Sequence, residues 1–165
     1  MPSDRLALSL LLAAPTLVDT FFEQTVILLA EHNQDGAMGF IVNQPMTLTL
    51  GDIGHVMQLD VHPSYQQAFV YGGGPVTPEQ GWIIAKRNET TPADLRISAE
   101  LDDTHILLAD LDSLQKLLEV PAQEFRLILG CAGWGPDQLS GELREGVWLT
   151  QEFDPSALLA ETLPL

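Results

Sequence analysis

Two apolar runs, Val26 to Ala30 and Met38 to Val42, flank the turn-rich stretch Glu31-His-Asn-Gln-Asp-Gly36. Turn-forming residues between β-branched apolar runs predict a β-hairpin. Each run is apolar at successive positions rather than alternate ones, so both faces of the hairpin are predicted to be covered. Leu6 to Ala14 is also almost wholly apolar. It reads as a buried core segment and not as a signal peptide. Its only cation, Arg5, sits beside Asp4, the run continues into Pro15, and it lacks a small-x-small cleavage site. It is far too short to span a bilayer. Asp19 to Glu23 predicts a capped helical turn leading into the first hairpin strand.

Further along, Thr49 to Leu59 predicts a helix, with Thr49 as cap and Asp52 three residues later. Ala68 to Tyr71 predicts a strand ending at Gly72-Gly-Gly-Pro75. Thr77-Pro-Glu-Gln80 reads as a brief helical turn with Pro78 at its first position. Strands are predicted at Gly81 to Ala85 and Arg96 to Leu101, with a polar loop from Lys86 to Asp94 between them. His105 to Leu108 leads into a helix at 111–119, whose Leu111, Leu114, Leu117 and Leu118 share one face. Phe125 to Leu129 predicts a strand, Pro136 to Arg144 a helix ended by Gly146, Val147 to Thr150 a strand, and Asp154-Pro155 the cap of a last short helix. Adjacent hairpins with few crossover helices argue for an α+β fold, not a doubly wound sheet. A length of 165 residues without repeats or linkers predicts one domain spanning 1–165.

The chain carries 23 acidic and seven basic residues, a net charge of −16. No Lys or Arg occurs between Leu6 and Ala85, a stretch with seven carboxylates. Affinity for nucleic acid comes largely from cations that neutralise phosphates. Direct DNA binding is therefore disfavoured, as is binding to anionic membranes. A protein partner, itself basic or presenting a cationic patch, is the compatible class. One cysteine excludes an internal disulfide and a cysteine-rich metal centre, and suits a reducing cytoplasm.

Three groups of residues carry candidate chemistry. Cys131, His32 and Asn43 have the composition of a thiol nucleophile site, set against a buried cysteine and hairpin residues bonded to local backbone. The glycine-rich turns Gly72-Gly73-Gly74-Pro75 and Gly133-Trp-Gly-Pro-Asp137 precede predicted helix starts, where free N–H groups hold anions. Neither matches a Walker loop or a dinucleotide fingerprint, and tight-turn geometry is the alternative. Trp134, Gln138 and Glu142 form the third group, with the last two on one helical face. They serve either as a partner-anchoring patch or as core packing. His32, His55, His62 and His105 show no metal-ligand spacing, so neither metal nor cofactor is expected.

The ordered set of motif residues resembles the AlgH/YqgE family of small bacterial proteins. It comprises Pro15, Leu17, Asp19 and Phe22; Val26, His32, Gly36, Gly39, Asn43 and Pro45; Gly73-Gly-Pro-Val76 with Gly81; and Gly133-Trp134, Gln138-Leu139, Glu142 and Trp148. The resemblance spans about Leu8 to Trp148. It implies an α+β fold with a mixed, largely antiparallel sheet partly curled into a small barrel, and helices packed around it. Members are described as transcriptional regulators, which implies an effect on expression without implying contact with DNA. The chain departs from the family pattern at Asp137, where glycine is common, at Gly146, where asparagine is common, and at Cys131. The resulting expectation is a non-enzymatic cytoplasmic protein, a monomer or weak homo-oligomer, that acts through protein–protein contact. The candidate contact residues are His32, Asn43, Gly73, Gly74, Trp134, Gln138 and Glu142. A DNA-binding regulator and a small-ligand or thiol-chemistry protein using Cys131 and His32 are the alternatives.

Overall fold

The structure, a computed structural model, describes residues 9–14 and 25–152. The turn expected at Asp19 and the last helix expected after Asp154 lie outside those residues. The chain divides into two compact units, each assembled from separated segments. The first comprises Met1–Gln44, Gly72–Pro78 and Gly130–Leu165; the second comprises Pro45–Tyr71 and Glu79–Leu129. The fold class is α+β, with a curled antiparallel sheet and three helices among the described residues.

In the first unit, β1 (Leu10–Ala13) pairs with β2 (Val26–Asn33), and β2 with β3 (Gly36–Ile41). Burial of Leu10 and Leu11 makes β1 the expected core segment. The hairpin forms as predicted, but its turn shrinks to Gln34 and Asp35, because the strands absorb Glu31 to Asn33 on one side and Gly36 on the other. Asn33 Oδ1 accepts from Asp35 N at 2.8 Å and tightens that turn. Ile27 and Leu29 point into one core and the register pair Leu28–Phe40 is fully buried, so both faces are covered, as the unbroken apolar runs require.

In the second unit, β4 (Pro45–Thr49) precedes α1 (Leu50–Met57) and pairs with β5 (Phe69–Gly72). Thr49 Oγ1 accepts from Asp52 N at 3.1 Å while Asp52 Oδ2 accepts from Thr49 N at 2.9 Å, the reciprocal cap that the sequence predicts. Thr49→Ala is expected to cost about 1 kcal/mol in urea unfolding, through loss of this cap. β6 (Val76–Lys86) pairs with β8 (His105–Leu108), and β8 pairs with β7 (Ile97–Glu100). α2 (Leu111–Glu119) buries Leu114, Leu117 and Leu118 against Ile83, Ile106, Leu108 and Leu127.

The structure corrects two sequence expectations here. Thr77 to Gln80 is strand, not a helical turn. A residue before proline is kept out of the right-handed helical region, and Thr77 has φ +41°. β9 (Glu124–Trp134) runs five residues past Leu129, because Gly130 bends the strand at φ +83° without ending it. Leu111 shares a helical face with the core leucines but sits in the first turn, beyond the end of the core, and is half exposed. β6 and β9 each contribute residues to both units.

Candidate functional site

In the first unit β9 leads into α3 (Gln138–Arg144) and then β10 (Trp148–Gln151), which pairs with β1. This path gathers Trp134, Gln138, Glu142 and Trp148. Glu142 Oε1 accepts from Trp134 Nε1 at 3.0 Å and from Trp148 Nε1 at 2.9 Å. Its other oxygen accepts from Gln138 Nε2 at 3.1 Å, and Gln138 Oε1 accepts from Gly135 N at 2.9 Å. The indoles pack edge to face, with centroids 6.1 Å apart. Trp134 is only 7% exposed and belongs to the core with Leu11, Ile41 and Leu139. One carboxylate thus holds both indoles, and Gln138 ties it to the loop. The patch reading of Trp134 is corrected: its ring and its N–H are turned inward.

The glycine turns are also spent on packing. Gly74 has φ +145°, and a Cβ there would drive into the Cys131 carbonyl; one on Gly130 would drive into the Gly74 carbonyl. The two backbones touch where only glycine fits. Gly73 O accepts from Ile41 N at 2.9 Å. The turn passes straight into β6, so no helix start follows it. At the other turn, Gly135 N is taken by Gln138 and α3 is a single short helix.

Cys131 lies inside β9 at 5% exposure, its Sγ 3.7 Å from Thr77 Oγ1. The strand continues through it to Trp134, so the buried-cysteine alternative holds. A thiol so buried lacks the access that makes thiolates reactive. Asn43 Oδ1 accepts from Val26 N at 2.9 Å, joining the residues that flank the hairpin. His32 is buried in β2 opposite Ala37. Among the described residues no group of three or more His, Cys, Asp or Glu side chains is arranged to hold a metal.

Four of the seven cations have partners. Lys116 Nζ lies 2.9 Å from Asp94 and 3.0 Å from Asp112, Arg87 3.0 Å from Glu100 and Lys86 3.7 Å from Glu124. The hydrogen bond to Asp94 leads the interactions that hold the Lys116 ammonium above its ordinary pKa. Arg126 is buried 4.0 Å over the Tyr71 ring, and burial pushes its pKa below the usual guanidinium value. None of these four presents an unengaged charge for a phosphate backbone.

A different site lies in the second unit, at residues outside the sequence-derived candidates. A cavity of about 400 Å³ opens between α1, β6, β9 and the start of α2. Its walls are mainly apolar, with Ile53, Met57, Leu114, Leu127 and Leu129 among them. Glu79, Gln80 and Asp110 supply the polar positions. The volume falls within the range of binding pockets, and a few polar groups in an apolar wall fit one. Of its lining residues, Met57 is 47% exposed and Leu111 49%. Asp110 caps α2, its Oδ2 accepting from Ser113 N at 2.9 Å. Its Oδ1 is buried and accepts no hydrogen bond among the described residues. No local sequence signal marks this site, because its lining comes from four elements that are far apart in the chain.

The AlgH-like family model matches residues 10–164. The chain belongs to the AlgH-like family. A UPF0301 protein of Myxococcus xanthus is 37% identical over 154 residues, covering 93% of this chain and 82% of that protein. One from Stenotrophomonas maltophilia is 39% identical over 165 residues, covering 97% and 83%. The solution structure of the AlgH protein from Pseudomonas aeruginosa superposes with a TM-score of 0.71 at 31% identity, covering 99% of this chain and 86% of that one. Two departures from the AlgH-like pattern have a conformational account. Asp137 takes a left-handed φ of +61°, in place of the usual glycine. Gly146 takes +78° and closes α3, with Gly146 N donating to Leu143 O and Val147 N to Glu142 O. No helix among the described residues is long and apolar enough to cross a membrane.

Proposed function

We propose that this AlgH-like protein is a non-enzymatic cytoplasmic binding module that acts by docking onto another protein, with any effect on gene expression following from that contact. The observation that carries this reading is the apolar cavity of the second unit, with Met57 and Leu111 of its lining half exposed. Exposed apolar side chains grouped around a concave site are the usual mark of a contact surface. The pairing of Arg87 and Lys116 with carboxylates and the charge of −16 support a protein partner over nucleic acid. The buried thiol supports a contact role over thiol chemistry. In this reading the protein is a monomer or weak homo-oligomer until the partner binds. The Trp134–Glu142 cluster and the glycine turns stiffen the other unit and do not touch the partner.

The test is affinity capture from the native cell, with half of the lysate treated with nuclease, followed by mass spectrometry. A near-stoichiometric protein retained in both halves is expected. Enrichment only without nuclease would move the function to nucleic acid.

A further inference from the structure

Resting on that reading, we infer that the segment entering the cavity carries an apolar anchor side chain next to a lysine or arginine. The apolar half follows from the walls: Ile53, Leu114, Leu127 and Leu129 offer nothing to a polar group. The cationic half follows from the polar positions. Glu79 is an exposed carboxylate on the strand that lines the cavity. Asp110 adds a second carboxylate to the lining. A carboxylate accepts and does not donate, so the complementary group is a cationic donor, and an acidic segment would be repelled. The chain itself has no Lys or Arg between Leu6 and Ala85, so no cation of α1 or of the first half of β6 supplies the charge from within. A partner's segment pairing one apolar anchor with one cation fits both halves of the site.

Three short helical peptides with the same leucine pattern, and Lys, Ser or Glu at the intervening positions, separate the two halves. Affinity is read by calorimetry, and the site by methyl shifts of Ile53, Leu114, Leu127 and Leu129 in the full chain. The Lys peptide is expected to bind most tightly and the Glu peptide least, each bound peptide shifting those methyls. Asp110→Asn keeps an oxygen to cap Ser113 N and is expected to weaken the Lys peptide about fivefold, leaving the Ser peptide unchanged. Asp35→Asn removes the same charge at the hairpin turn of the other unit and is expected to leave both unchanged. In Gly81→Val the new side chain enters the cavity, since a Cβ there meets Leu127 and Leu129 at 3.4 Å, and all three peptides are expected to weaken at least tenfold.

Equal affinities for the Lys and Ser peptides would overturn the cationic half. So would equal losses in Asp110→Asn and Asp35→Asn, which would mean attraction to diffuse negative charge. Neither result touches the contact reading, which falls instead if capture retains no protein. Absence of methyl shifts with every peptide would overturn the inference as a whole.

Discussion

Glu142→Ala is expected to destabilise the protein by about 4 kcal/mol. The substitution leaves the Trp134 and Trp148 N–H groups without the acceptor they share at 3.0 and 2.9 Å. A buried donor left unmet costs roughly 1–3 kcal/mol, and there are two of them. Gln138 also loses its partner across one helical turn, and with it the brace on Gly135. For a chain of this size the loss corresponds to a fall in Tm of about 8–16 °C. Glu142→Gln keeps one carbonyl oxygen for the indoles and is expected to lose less than half as much. Tryptophan fluorescence followed during thermal and urea unfolding reads both. A loss under about 1 kcal/mol in Glu142→Ala would show that the indoles find other acceptors and that Glu142 is not the pin of this core.

The second large effect is expected at Gly74. A methyl group there would overlap the backbone of Cys131, and φ is +145°, where side chains are rarely tolerated. Gly74→Ala combines backbone strain with overpacking against a neighbour that is itself backbone and cannot swing aside. Each contributes about 1–3 kcal/mol. The expected loss is about 3–5 kcal/mol. Gly146→Ala supplies the comparison: it too has a left-handed φ, +78°, but a Cβ would meet nothing within 4 Å. Its expected cost is about 1–2 kcal/mol, the conformational penalty alone. If the two variants unfold at the same denaturant concentration, the close approach of the Gly74 and Cys131 backbones is not limiting.

Local patterns carried most of the fold. The unbroken apolar runs foretold a hairpin covered on both faces, and Thr49 with Asp52 foretold a helix start that forms as a reciprocal cap. The misreadings occur where backbone from distant parts of the chain decides the conformation. Pro78 after a glycine run reads locally as a helix start, yet β6 runs as strand through it from Val76 to Lys86. Gly133 reads as the start of a turn and the strand as ending at Leu129, yet β9 continues to Trp134 because β3 pairs with its far end, Ala37 opposite Trp134. Cys131 is buried as a consequence. Among the candidate residues, Trp134, Gln138 and Glu142 do come together, but as a closed set of hydrogen bonds and not as an open patch. The cavity was illegible in advance because Ile53, Gln80, Asp110 and Leu127 are far apart in sequence. Nothing local distinguishes a leucine that fills a core from one that lines a hollow.

The most direct test of the contact account compares capture by the wild-type chain, by Leu111→Glu and by Asp35→Ala under identical conditions, with folding of each verified by its Tm. Leu111 is half exposed beside the cavity, so a carboxylate there places charge on the proposed contact face without opening the core. The account predicts a partner that survives nuclease with wild type and Asp35→Ala and drops at least tenfold with Leu111→Glu at unchanged Tm. Equal recovery of that partner by all three chains would contradict it and move the contact surface elsewhere on the protein.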